Sequence, residues 1–373
     1  MTKRVGIYIH VPFCLSKCYY CDFCSRTRAD DKTKGLYVQR LCEEIENIAL
    51  AIGKERPIAD TVYFGGGTPT LLSSAQFEKI LDTVDRNFGI EKGAEITAEA
   101  NPKTADLEKL QNMRSVGINR LSIGMQSVHD SELRALGRIH SFSDFKKTFC
   151  DARVAGFDNI SADLMYGIPL QTKKSFSESI ETLTELAPEH ISSYSLTVEE
   201  GTPFYKRRES LDLPDEDCVS DMYLLMVEKL RERGYEKYEI SNFAHKTRES
   251  RHNLKYWRRE DYLGFGPAAH SFYSGIRYAH SRNIEAYLGG ESIIESVESI
   301  TGNDAMDEYV MLGMRLSSGI DKECFNTLFG VDFDEKYGSV FKRFAPEYVY
   351  IDEKTCRFTD KGMLVSNYIL SET

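Results

Sequence analysis

Three closely spaced cysteines are the residues best suited to chemistry. They lie in the run Cys14-Leu-Ser-Lys-Cys18-Tyr-Tyr-Cys21. Thiolates at such spacings on one loop can wrap an iron–sulfur cubane, and a cubane has one more iron than these three can cap. The spare iron is then open to a bidentate small molecule. Structural zinc is the competing reading. Zinc takes a full tetrahedral set and favours Cys-x-x-Cys pairs, and Cys21-Asp-Phe-Cys24 offers one pair. The chain has nine cysteines, an odd number, with no secretion pattern at its start. That combination favours metal ligation over a disulfide framework. Cys42, Cys150, Cys218, Cys324 and Cys356 are scattered and are expected to be small buried hydrophobes.

Further polar residues fall near the ends of expected strands. Gly65-Gly66-Gly67-Thr68-Pro69 follows one of them, and glycines let backbone groups approach a ligand closely. Glu99, Gln126, Arg138 and Asp163 follow at later strand ends. Burying a charge there without a partner is costly, so these residues are expected to face a ligand. Glu99 can accept from an ammonium. Arg138 can grip a carboxylate with its fork of donors. Gln126 and Asp163 can bond hydroxyls or amides. Tyr8 and Tyr20 flank the cysteine loop with aromatic faces.

These residues must be positioned by alternating elements. Strands are expected at 5–10, 61–64, 95–99, 120–124, 159–164 and 190–196, and helices at 36–52, 74–87, 105–116, 142–155 and 175–185. Such alternation implies a parallel sheet with right-handed crossovers. Six units in about 200 residues fit a partial (β/α)6 barrel of the TIM type, in which function gathers where the strands end. Beyond residue 201 the pattern shifts to a helix at 215–233 and then a stretch rich in Tyr, His and Arg. The last segment reads as helices at 305–317, 322–329 and 333–344, two short strands and a final helix. That order suggests a winged-helix-like unit without a basic surface. The expected class is α/β with a C-terminal α+β extension, divided into 1–205 (barrel), 206–300 (linker and barrel-capping segment) and 301–373 (winged-helix-like unit).

Composition narrows the partners. The net charge of −11 argues against nucleic-acid and anionic-membrane roles. No apolar run is long enough for an integral membrane span, and the start does not read as a signal peptide. The expected location is cytoplasmic.

Cys-x3-Cys-x2-Cys directly after a first strand resembles the radical S-adenosylmethionine superfamily. The resemblance implies a [4Fe–4S] cluster on Cys14, Cys18 and Cys21, with S-adenosylmethionine at the fourth iron and an electron donor for the cluster. The segments 8–14, 65–70, Leu121-Ser-Ile-Gly-Met-Gln-Ser127 and Asp163-Leu-Met-Tyr-Gly-Ile-Pro169 together resemble the oxygen-independent coproporphyrinogen III oxidase family. By that likeness Tyr8, Gly66 and Glu99 serve one S-adenosylmethionine with the cysteines. Tyr20, Gly67, Thr68, Gln126, Arg138 and Asp163 serve a second.

Two branches of the family must be separated. The oxidase branch has a long extension before the first strand and a Cys-x-Cys after the third cluster position. Here the strand is expected from residue 5, and Phe23 stands where that cysteine would be. Cys21-Asp-Phe-Cys24-Ser and His252-Asn-Leu-Lys-Tyr256-Trp257 instead resemble the HemW branch of heme chaperones, although Cys24 departs from its commoner residues. That likeness implies a protein that binds heme and passes it to an acceptor protein. Radical decarboxylation of coproporphyrinogen III propionates is the alternative. His252 can ligate heme iron as neutral imidazole, or it can be a hydrogen-bonded residue capping the barrel mouth. His270 is a further heme candidate, and His10 is read as orienting the cysteine loop. No residue is assigned a catalytic role.

Overall fold

The computed structural model describes residues 3–373. Its frame is a run of parallel strands: β1 (Arg4–Val11), β2 (Ile58–Gly66), β3 (Ile90–Ala100), β4 (Arg120–Gln126), β5 (Ile160–Tyr166) and β6 (His190–Ser195). Each pairs in parallel with the next. Helices α1 (Asp31–Ile52), α2 (Ser74–Phe88), α3 (Leu107–Ser115), α4 (Phe142–Val154) and α5 (Lys173–Glu185) make the crossovers. Helix starts follow local chemistry. Ser73, Ser141 and Thr172 close capping boxes at α2, α4 and α5, satisfying amides that would otherwise lack acceptors.

Alternation along each strand sorts side chains onto two faces. Val5, Ile7 and Ile9 of β1, Leu121 and Ile123 of β4, and Ile160, Ala162 and Leu164 of β5 are buried against the helices. In α2 the residues Phe77, Ile80, Leu81, Val84 and Phe88 supply the matching stripe. The opposite parity is almost wholly polar or aromatic: Tyr8 and His10, Tyr63, Glu99 and Asn101, Arg120 and Ser122, Ser161 and Asp163, His190 and Ser192. The strands therefore wrap a polar interior.

The sheet extends beyond the six units. After α6 (Glu216–Glu232), β7 (Asn242–Ala244) pairs antiparallel with β6. Then α7 (Arg251–Trp257) leads into β8 (Tyr262–Phe265), which runs parallel to β1 on the other edge. β9 (His270–Tyr273), β10 (Ile276–His280) and β11 (Ile294–Ser299) continue outward as an antiparallel meander. The two edges of this 12-stranded sheet are different strands, so it is an open, partial barrel with an added seventh parallel strand. The Tyr-, His- and Arg-rich stretch, to which no element was assigned, supplies α7, β8, β9 and β10.

The C-terminal extension holds α8 (Gly302–Gly313) and α9 (Lys322–Phe329), then a three-stranded sheet of Ile320–Asp321, Thr355–Phe358 and Val349–Ile351. The helix expected at 333–344 is split into a π turn, Asp334–Gly338, and a short α segment, Ser339–Lys342. Glu308 on α8 accepts from Arg259 and Arg277, tying the extension to the barrel sheet. Among the described residues no helix is long and apolar enough to cross a membrane.

Candidate functional site

The barrel interior is a single cavity of about 670 Å³ that reaches from the cysteine loop down to the start of β4. Cys14, Cys18 and Cys21 all line it, and Cys24 does not. The loop carrying them is clamped on both sides. The amides of Gly67 and Thr68 donate to the carbonyls of Val11 (2.9 Å) and Phe13 (2.7 Å), and that of Tyr19 donates to Leu136 (3.0 Å). His10 Nε2 lies 2.8 Å from the Cys24 carbonyl and its Nδ1 3.1 Å from the Tyr8 hydroxyl. It orients the loop, as its position suggested. The Cys24 thiol turns away to the Arg282 carbonyl at 3.3 Å.

Two donors point at the sulfurs. Thr68 Oγ1 lies 3.5 Å from Cys14 Sγ, and Arg138 Nη1 lies 3.6 Å from Cys18 Sγ. Asn101 braces both, donating to Thr68 Oγ1 at 2.9 Å and accepting from Arg138 Nη2 at 2.8 Å. Burial, reinforced by the Cys18 and Cys14 thiols, pushes the Cys21 thiol up to about 11. Among the described residues no group of three or more His, Cys, Asp or Glu side chains closes around a single-ion site. The thiols are gathered without forming a zinc-type cage.

The glycine triplet also serves packing. β2 runs through Gly66, so two of the glycines are strand residues. A Cβ on Gly66, where φ is +101°, would stand 2.5 Å from the His10 ring, and one on Gly67 would stand 2.5 Å from the Phe13 carbonyl. These glycines are small so that β2 can pack against the root of the cysteine loop. Gly66 and Gly67 also line the cavity, and a Cβ on Gly65 would stand 3.1 Å from Glu99 Oε1.

Glu99 is half-buried and accepts from the Tyr63 hydroxyl (3.0 Å) and the Gly66 amide (3.2 Å). Burial, with Asp163 nearby, raises its carboxyl to about 8. Asp163 accepts from Ser122 Oγ at 2.9 Å, and burial raises it too. Gln126 closes β4 with φ +67° and accepts from the Tyr194 hydroxyl at 3.3 Å. Tyr8 and Tyr20 both line the cavity. The structure thus gathers Tyr8, Tyr20, Gly66, Gly67, Glu99, Gln126, Arg138 and Asp163 with the cysteines on one cavity, and Thr68 sits directly behind Cys14.

His252 lies elsewhere than the mouth. It is buried at the barrel floor beside Thr61 and Gly6, near the starts of β2 and β1. Its Nδ1 is 2.8 Å from Thr61 Oγ1 and its Nε2 2.8 Å from the Tyr256 hydroxyl. Burial lowers its pKa to about 3, holding it neutral. Both ring nitrogens are engaged, so ligating iron would require giving up one bond. His270 is exposed on β9. Of the scattered cysteines, Cys42 and Cys356 are buried, but Cys150 and Cys324 are exposed. Both exposed cysteines lie on helices of which only one side is covered.

Sequence reasoning missed Asn101, Tyr63, Tyr194 and Arg120. Parity was the available signal. Asn101 shares a strand face with Glu99, and Arg120 shares one with Gln126.

Residues 8–183 match the radical SAM superfamily model, and residues 300–365 match that of the HemN C-terminal domain. A protein named heme chaperone HemW from Bacillus subtilis is 36% identical, the alignment covering 97% of each chain. The relative of the same name from Escherichia coli is 33% identical over 98% of this chain and 97% of its own. This chain belongs to the HemW family. The structure of Escherichia coli coproporphyrinogen III oxidase shares its fold, with a TM-score of 0.85 and 24% identity over 99% of this chain and 89% of that one.

Proposed function

We propose that this protein binds a [4Fe–4S] cluster through Cys14, Cys18 and Cys21, holds S-adenosylmethionine at the open iron, binds heme, and delivers it to an acceptor protein. The observation that carries this reading is full-length identity to relatives named heme chaperone HemW, joined to three cysteines on one cavity. The donor chemistry fits a cluster. Thr68 and Arg138 aim at sulfur, and donors to sulfur help set a cluster's potential. Zinc fits less well, because Cys24, the fourth thiol a tetrahedral set would need, turns away to the Arg282 carbonyl. Glu99, with Tyr63 and the Gly66 amide, is suited to an ammonium; Tyr8 and Tyr20 are suited to an aromatic face. Arg138, Gln126, Thr68, Gly67 and Asp163 are assigned to further cofactor contacts. When bound, cluster and S-adenosylmethionine supply one-electron chemistry. The protein's own contribution is to hold them in a polar interior closed off by α1–α5.

Two measurements on anaerobically reconstituted protein test the proposal. Hemin titration should give a Soret band that survives gel filtration. Incubation with reductant, S-adenosylmethionine and coproporphyrinogen III should leave the substrate unchanged. Protoporphyrinogen formation would favour the oxidase reading, and neither signal would defeat both.

A further inference from the structure

Arg120 opens β4 at the floor of the cavity and is only 1% exposed. No ion pair or hydrogen bond from its side chain occurs among the described residues, and its Nε is buried without a partner. The side chains around it are already committed. Glu99 accepts from Tyr63 and Gly66, and Asp163 accepts from Ser122. His190 is held between Ser161 and Tyr238, and His252 between Thr61 and Tyr256. The amide oxygen of Asn242, which lines the cavity with Arg120, is likewise buried without a partner. A guanidinium stays charged in any protein environment, and burying one unpaired is strongly unfavourable. Glu99 and Asp163 are near enough to feel the charge of Arg120, yet neither pairs with it, which leaves its donors free for a ligand.

We propose that Arg120 anchors a carboxylate of the ligand that fills the barrel. This rests on the reading of the cavity as a heme and S-adenosylmethionine site. A planar carboxylate matches the guanidinium fork. Both proposed ligands carry one: a porphyrin propionate and the methionyl carboxylate of S-adenosylmethionine. Position favours the propionate. The Cα atoms of Arg120 and Gln126 lie about 20 Å apart along β4 at strand rise, and S-adenosylmethionine held by the cysteine loop would keep its methionyl end there.

Full-length reconstituted protein would be titrated with hemin, hemin dimethyl ester and S-adenosylmethionine, in the native chain and in Arg120→Gln and Arg120→Lys. A propionate anchor predicts that native protein prefers hemin to its ester by about tenfold or more. Arg120→Gln should erase that preference, Arg120→Lys should keep part of it, and S-adenosylmethionine affinity should not move. Weakened S-adenosylmethionine binding with hemin unaffected would keep the anchor and reassign its carboxylate to the cofactor. If native protein binds hemin and ester equally, and both folded variants hold S-adenosylmethionine as the native chain does, the anchor is refuted and Arg120 is solvated by water alone. Absence of any hemin binding would defeat the chaperone reading instead, and the S-adenosylmethionine arm would then decide Arg120. The comparison of hemin with its ester on native protein stands even if Arg120→Gln fails to fold.

Discussion

Glu99 shows how burial becomes a measurable pH dependence. Its carboxyl titrates near 8 in the fold, against about 4.3 in an unfolded chain. Between those values the native state holds a proton that the unfolded chain has released, so stability falls as pH rises. Glu44 and Glu239, pushed up to about 7 by burial, act in the same direction. Urea midpoints of Glu99→Gln should therefore decline less steeply from about pH 5 to 8 than those of native protein, though some slope should remain. An identical slope would contradict the assignment. His252 makes a separate point. Losing one of its two buried ring bonds in His252→Gln should cost about 1–3 kcal/mol in urea unfolding. If that variant gives hemin spectra like those of native protein, His252 is a floor residue and not an iron ligand.

The glycines of β2 act through packing. Gly67→Ala would push a methyl group to 2.5 Å from the Phe13 carbonyl, which is backbone and cannot swing aside. The expected result is a displaced cysteine loop, a loss of about 1–3 kcal/mol, and less iron per chain after anaerobic reconstitution. Gly35→Ala, in α1 with open space around it, is the control and should be neutral or slightly stabilising. Most elements around this site were readable beforehand. α2 and α5 were expected at 74–87 and 175–185 and are seen at Ser74–Phe88 and Lys173–Glu185, because an apolar stripe and a cap mark both. What the glycines pack against was not readable, since the contact joins residues far apart in the chain. The middle segment was harder still. β8 is Tyr262-Leu-Gly-Phe265 and α7 ends in Tyr256-Trp257. Both are too short for a period to emerge: in β8 only Leu263 and Phe265 reach the core, and His252 and Tyr256 of α7 face the cavity.

A partly buried charge cluster is among the contacts that couple the barrel to its C-terminal extension, as are the Arg231 and Lys237 pairs with Asp360. Glu308 takes Arg259 at 2.6 Å and also Arg277, with both Glu308 and Arg259 mostly out of solvent. Removing the acid strands two cations, so Glu308→Ala should destabilise the chain by about 3–5 kcal/mol. If α8 docks chiefly through this contact, the urea transition should also broaden or split, which calorimetry would resolve. A single transition at the native midpoint would show that the cluster is dispensable. The open architecture was legible from six βα units, whereas the strands flanking it on both edges were not, because pairing partners depend on register that local sequence does not carry. The polar lining of the barrel has one further consequence. Hydroxyls, imidazoles and carboxyls wet readily, so an incoming molecule gains little from expelling solvent and is retained by directional bonds that water can take over one at a time. Such a vessel discriminates on loading and empties without a large penalty, which is the behaviour the proposed delivery role requires.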